Sequence, residues 1–179
     1  MDLNQLLNEI KIENNIVNNH DFLFELVKNA SNWDTSIKSR KTVSYGTPYN
    51  YSEMEYPFLP LPDHIENVID VIKDKIDFVP NNCLINYYTD GKSKMGFHSD
   101  QTDILFEGTG IAIVSLGNNR IMRFKNKINK EITHDIDLEP NSLFYMSKEV
   151  QEFWLHAILP DEVNDNAERI SLTFRKLIE

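Results

Sequence analysis

His98-Ser99-Asp100 and the distant His156 supply two imidazoles and one carboxylate. That donor set is the facial triad that holds Fe(II) on one side and leaves positions open for a co-substrate and O2. In an extended strand, residues two apart face the same way, so His98 and Asp100 can reach one ion together. The third donor must come from another strand, and Glu152-Phe153-Trp154-Leu155-His156-Ala157-Ile158-Leu159 is apolar enough to read as a buried one. A second pattern lies near the end of the chain, where Arg169, Ser171, Thr173 and Arg175 alternate with Ile170, Leu172 and Phe174. Such a strand has one hydrogen-bonding face and one apolar face, as expected where it lines a polar pocket and backs onto a core. An iron site of this kind consumes an organic reductant. A dicarboxylate such as 2-oxoglutarate needs a fixed cation at its far end, and the planar guanidinium fork supplies one.

The elements that must position these groups run helices first, strands after. Leu3, Leu6, Leu7 and Ile10 have helical spacing, as do Phe22, Leu23, Leu26 and Val27, and Pro62-Asp63 opens a third helix carrying Ile65, Val68, Ile69, Ile72 and Ile76. Residues from about Trp33 to Pro60 lack sustained periodicity and read as loops or a short hairpin folded over a site. From Cys83 onward the pattern turns to strands, at 83–89, 110–116, 121–126, 132–138, 142–146, 152–159 and 169–177. The fold class is therefore α+β: a double-sheet jelly roll, or double-stranded β-helix, buttressed by amino-terminal helices.

A chain of 179 residues is of a length expected to form a single domain. No apolar run approaches a membrane span, and Met1-Asp2-Leu3-Asn4 lacks the start of a signal peptide. The lone Cys83 reads as a small buried hydrophobe. An intracellular, cytoplasmic monomer is the expectation, or a nuclear one in a eukaryote. The formal net charge of -10 counts against duplex DNA as a partner, because nucleic-acid binding draws on cationic contacts to phosphate. Local basic clusters remain: Lys38, Arg40 and Lys41; Lys92 and Lys94; Arg120, Arg123, Lys125, Lys127 and Lys130. Each serves either a short single strand or simple solvation.

Asn86-Tyr87-Tyr88, His98-Ser99-Asp100, Ile113-Val114-Ser115-Leu116-Gly117, His156 and Arg169-Ile170-Ser171-Leu172-Thr173-Phe174-Arg175 occur in the order of the motif series that the AlkB-like Fe(II)/2-oxoglutarate dioxygenases carry, and the sequence resembles that family. The likeness extends upstream through Ser39-Arg40-Lys41-Thr42-Val43-Ser44-Tyr45-Gly46 and Tyr49-Asn50-Tyr51-Ser52, similar to the lid of nucleic-acid-repair members. It divides the chain into a helical part at 1–38, a substrate lid at 39–60 and a jelly-roll core at 83–177.

The resemblance implies Fe(II) at His98, Asp100 and His156, with 2-oxoglutarate and O2 as co-substrates. It places Arg169 at the distal carboxylate of 2-oxoglutarate and Arg175 near its chelating end, with Asn86 and Tyr88 adding hydrogen bonds. Ser171 stands where repair members usually carry asparagine. Tyr51 matches the lid residue that stacks on a flipped base, with Tyr45 and Tyr49 as neighbours; these tyrosines either stack a base or pack the lid onto the barrel. Asp103 is the acidic residue offered to an exocyclic amine, one place later than in repair members. The implied reaction is oxidative demethylation of N-alkylated bases in single-stranded DNA or RNA, releasing formaldehyde, succinate and CO2. The alternative is a hydroxylase or demethylase of a protein, lipid or small metabolite on the same scaffold.

Overall fold

The computed structural model describes residues 1–51 and 54–178, and gives the backbone alone for Asn50, Tyr51, Met54 and Glu55. Elements are numbered along the chain. A six-stranded sheet runs in the order β1 (Ile10–Asn14), β10 (Ser142–Met146), β7 (Ile111–Gly117), β12 (Arg169–Arg175), β5 (Asn82–Tyr88) and β2 (Lys41–Gly46). A four-stranded sheet runs β6 (Met95–His98), β11 (Trp154–Ile158), β8 (Arg120–Asn126) and β9 (Thr133–Leu138). All neighbours in both sheets are antiparallel. A short hairpin, β3 (Tyr49–Tyr51) and β4 (Met54–Tyr56), lies in the region expected to form the lid.

Period-two alternation explains why the large sheet is buried on both sides. Leu84, Tyr88, Ile113, Phe144 and Met146 meet Met122, Phe124, Ile136, Trp154 and Ile158 of the smaller sheet in one core. The alternate residues, including Cys83, Ile85, Val114, Ile170, Leu172 and Phe174, form a second core against α2 (His20–Ala30) and α3 (Asp63–Ile76), which contribute Phe24, Val27, Ile65, Val68 and Ile72. Two apolar layers around one sheet are the jelly-roll arrangement expected from the sequence. Among the described residues, no helix is long and apolar enough to cross a membrane.

Several elements depart from the sequence reading. The first helix, α1 (Leu3–Asn8), is closed by a capping box in which Asp2 Oδ1 accepts from the Gln5 N–H at 2.9 Å and Gln5 Oε1 accepts from the Asp2 N–H at 2.7 Å. It ends before Ile10, which instead starts β1 and pairs with Met146. Lys41–Gly46 is no loop: it is the edge strand β2 along β5. The start of the segment 152–159 is helical, because a short turn of helix, α4 (Val150–Phe153), precedes β11. β2 ends at Gly46, whose φ of +82° suits glycine, and a Cβ there would collide with the Asn81 carbonyl oxygen.

Candidate active site

β6 and β11 are neighbours in the smaller sheet, where His98 stands directly opposite His156, and His156 opposite Phe124 of β8. β6 ends at His98, so Asp100 lies just beyond the strand. The expectation that both share one strand face is thus replaced by a turn that folds the carboxylate back over the imidazole. Asp100 Oδ1 is 3.4 Å from His98 Nε2 and 3.9 Å from His156 Nε2. One ligand atom from each of the three residues falls within 4.8 Å of the others.

The second oxygen of Asp100 is already engaged. Arg175 Nη2 donates to Oδ2 at 2.7 Å, so Oδ1 is the oxygen turned to the histidines. Burial alone would raise the Asp100 carboxyl, but the Arg175 guanidinium and the two imidazoles outweigh it and hold it well below the usual carboxylate range. His156 is 3% exposed, and burial pushes its pKa down to about 3, against the pull of Asp100. A neutral imidazole beside an ionised carboxylate is the protonation state a metal needs, since binding displaces no proton at either. His98 is oriented by the carbonyl of Gly96, 2.9 Å from Nδ1.

The turn between His98 and Asp100 is bracketed by α4. The Asp100 N–H donates to Gln151 Oε1 at 2.8 Å, and Lys127 Nζ donates both to Ser99 Oγ at 3.1 Å and to the Gln151 carbonyl at 2.6 Å. Gln151 is 3% exposed. No motif in the sequence pointed to Gln151 or to this use of Lys127, because the contact spans about fifty residues and uses an ordinary amide.

Beside the triad, a narrow cleft of about 50 Å³ is walled by β12, β5, β2, the hairpin and the smaller sheet. Along β12, Arg169, Ser171, Thr173 and Arg175 all face it, as their alternation predicted. Asn86 and Tyr88 face it from β5, in register with Ser171 and Arg169. Arg169 is fully buried, its Nη2 donates to Ser115 Oγ at 3.0 Å, and its Nε and Nη1 have no hydrogen-bond partner among the described residues. Burial lowers the Arg169 pKa, and the neighbouring Arg120 charge lowers it further. A buried cation without a counter-ion is costly, so this guanidinium is built to receive an anion.

Arg120 ties two loops together, its Nη2 donating to the carbonyls of Asp90 at 2.6 Å and Ala167 at 2.7 Å. Its Nη1 lies 3.7 Å from Asp161. This residue was read as part of a surface cluster and is in fact 2% exposed. Others of that cluster are also occupied, since Arg123 forms two hydrogen bonds to Asp135, at 2.7 and 2.6 Å, and Lys127 holds the triad turn. Lys125 sits 3.8 Å over the ring of Phe97, which is itself exposed.

The substrate residues expected from the sequence are scattered. Tyr49 lines the cleft, 1% exposed, with Arg175 stacked 4.5 Å over its ring, so it is a wall residue. Tyr45 is turned away, because on β2 the even positions Thr42 and Ser44 face inward and Tyr45 packs on the helix-side core. Asp103 is exposed in the turn after the triad and does not line the cleft. The Tyr51 side chain lies outside what the structure describes. Residues that the site reading did not single out also line it: Ile37, Thr42, Tyr56, Met95 and Met122, together with Arg40. Thr42 Oγ1 and the Tyr56 hydroxyl lie 2.9 Å apart, and Arg40 Nε donates to Asn86 Oδ1 at 2.8 Å.

This arrangement has known counterparts. Residues 2–175 match the 2OG-Fe(II) oxygenase superfamily. An uncharacterized protein of Acanthamoeba polyphaga mimivirus is 31% identical over 80% of this chain and 76% of its own length. DNA oxidative demethylase ALKBH2 of Bos taurus is 30% identical over 78% of this chain and 53% of its own. Alpha-ketoglutarate-dependent dioxygenase alkB homolog 3 of Rattus norvegicus is 31% identical over 79% and 51%. The chain thus spans about half the length of these two mammalian relatives. The solved structure of OsALKBH1 superposes with a TM-score of 0.70 at 17% identity, covering 94% of this chain and 98% of that one, which places the fold. With Fe(II) suited to the triad and 2-oxoglutarate to the buried Arg169, the chain belongs to the 2OG-Fe(II) oxygenase superfamily as an AlkB-like member.

Proposed function

We propose that the protein is an oxidative demethylase of N-alkylated bases in single-stranded DNA or RNA. The observation that carries this reading is the uncompensated Arg169 in the same cleft as the His98, Asp100 and His156 cluster, in a chain 30% identical over 78% of its length to a DNA oxidative demethylase. Fe(II) held by those three residues supplies the coupled oxidation of 2-oxoglutarate and of a substrate C–H bond by O2, yielding succinate, CO2 and a hydroxylated carbon. On an N-methyl group, that hydroxymethyl product breaks its C–N bond as its C=O bond forms, releasing formaldehyde, and the hydroxyl proton passes to the nitrogen.

The chain's own residues do the positioning. Arg169 fixes the distal carboxylate of 2-oxoglutarate at the closed end of the cleft, with Tyr88 alongside, its ring 5.3 Å from the guanidinium. Arg175 holds Asp100 Oδ2, which stops the carboxylate from rotating and presents Oδ1. Met95, Met122, Ile113 and Ile158 give the cleft apolar walls that limit water near the oxidising centre.

The test is mass spectrometry of single-stranded oligonucleotides carrying different methylated bases, incubated with Fe(II), 2-oxoglutarate and ascorbate, with succinate counted in the same tube. Loss of the methyl mass in step with succinate is the expected result. Succinate without demethylation of any base would sink the reading and leave an oxygenase of a protein, lipid or metabolite, an outcome the net charge of -10 makes worth measuring.

A further inference from the structure

We propose that β1 is a dimerisation edge: two copies of this chain pair their β1 strands antiparallel about a two-fold axis at Ile12, joining two large sheets into one, in place of the monomer expected from the sequence. The inference is independent of the substrate. β1 is the end strand of its sheet, and among the described residues no strand pairs with its outer side. Lys11, Ile12, Glu13 and Asn14 are all exposed, Ile12 by 45%, so the edge is open on both faces. Hydrogen-bond parity decides which backbone groups point outward. The Ser147 N–H donates to the Glu9 carbonyl at 3.0 Å, one step before the pairing of Ile10 with Met146. Bonded pairs alternate along an antiparallel ladder, so Lys11 and Glu13 turn their backbone groups to β10, and Ile10, Ile12 and Asn14 turn theirs to the open side. A second bond agrees: the Asn118 N–H donates to the Glu168 carbonyl at 2.8 Å, and the same alternation counted across β12, β7 and β10 gives the same outward set.

A row of outward N–H and C=O groups is a template for another strand, and the side chains choose which one. Reversed against itself about Ile12, Ile10-Lys11-Ile12-Glu13-Asn14 sets Lys11 opposite Glu13 of the second copy, and Glu13 opposite its Lys11. Ile12 meets Ile12, and Ile10 meets Asn14 on either side, so each outward group finds its bonding partner. Opposite charges facing each other across an antiparallel pair stabilise it, and like charges do the reverse. Sliding the pairing one way while keeping the bonding parity stacks Lys11 on Lys11, and sliding it the other way stacks Glu13 on Glu13. The charges thus pin one register, where a plain apolar edge would slip. The ends of the strand agree with it, since Glu9 closes α1 on one side and Asn15, with φ +55°, bends the chain on the other.

The experiment is sedimentation velocity of the full chain between about 1 and 500 µM. A pairing edge of 5 residues makes a small interface, so a concentration-dependent dimer with a Kd on the order of tens of micromolar is expected. Lys11→Glu and Glu13→Lys each set like charges opposite one another at both charged pairs, and each should weaken the dimer by at least about tenfold. Combining them in one chain restores it. An equimolar mixture of the two single variants should also associate where neither does alone, because each then faces the opposite charges. Ile12→Pro removes an outward donor and leaves the bonds to β10 in place, and should give a monomer with an unchanged circular dichroism spectrum. A wild-type chain that stays monomeric throughout overturns the inference and leaves the edge to a strand of another polypeptide. A dimer indifferent to both charge variants overturns it too, by placing the contact on another surface. Should Ile12→Pro fail to fold, the charge variants decide, since both side chains are exposed.

Discussion

Asp100 has two oxygens to share among Arg175 and two imidazoles, and its backbone N–H is held by Gln151. Removing the carboxylate should therefore do more than delete one ligand. Asp100→Ala is expected to abolish both metal-dependent succinate formation and Mn(II) binding by isothermal calorimetry, and retention of either would refute the triad. Gln151→Ala leaves the ligands in place but frees the turn that carries them. It should weaken metal binding by about 10–100-fold, as loss of supporting hydrogen bonds around a metal generally does. Arg169 makes a prediction with two signs. Replaced by methionine, it should raise the 2-oxoglutarate KM by roughly 10–100-fold, the loss of a charged hydrogen bond worth about 1.5–3 kcal/mol. The same change should raise, or leave unchanged, the melting temperature without co-substrate, because it removes an uncompensated buried cation. A fall in both stability and co-substrate affinity would make Arg169 a structural residue.

The β12 pattern was legible because its two faces have opposite chemistry, so Arg169 to Arg175 announced a pocket on one side and a core on the other. Leu172 is fully buried on the core side, and Leu172→Ala should cost about 2–5 kcal/mol in a urea titration, against little for the exposed Ile128→Ala. Edge strands were harder to read. β1 pairs on one side only and is otherwise exposed, so Lys11 and Glu13 carry no apolar signal that separates it from the helix before it. β2 hides in a segment rich in tyrosine and polar residues, and misplacing it also misplaced Tyr45, since a strand decides facing by parity where a loop does not. α4 is a single turn, too short to show periodicity, yet it carries Gln151. The site's ligands were thus visible in the sequence while their support was not. On α3, His64 shares a groove with α2, its Nε2 buried and unpartnered among the described residues, and burial lowers its pKa. A depressed histidine favours the folded state at pH above its ordinary value of about 6.5, and this contribution is lost as pH falls below it. The urea midpoint should therefore decline from pH 7.5 to pH 5 more steeply in the wild type than in His64→Gln; equal slopes would contradict the burial argument.

At the scale of the whole molecule, a net charge of -10 has to coexist with any nucleic-acid partner. Much of the third basic cluster is spent internally on Asp135, Ser99 and backbone carbonyls, which leaves few cations for phosphates. Binding to single strands should consequently have a shallow salt dependence, a log–log slope of about -2 rather than the steep slopes of strongly basic proteins. A steep slope would show that a cationic track exists on surfaces not identified above. Arg120 ties together two stretches far apart in the chain, since its one guanidinium holds the carbonyls of Asp90 and Ala167. The first follows β5 and the second precedes β12, the two strands that carry Asn86, Tyr88 and Arg169. The spacing of two walls of the cleft is thus set at that end by a residue that does not itself line it.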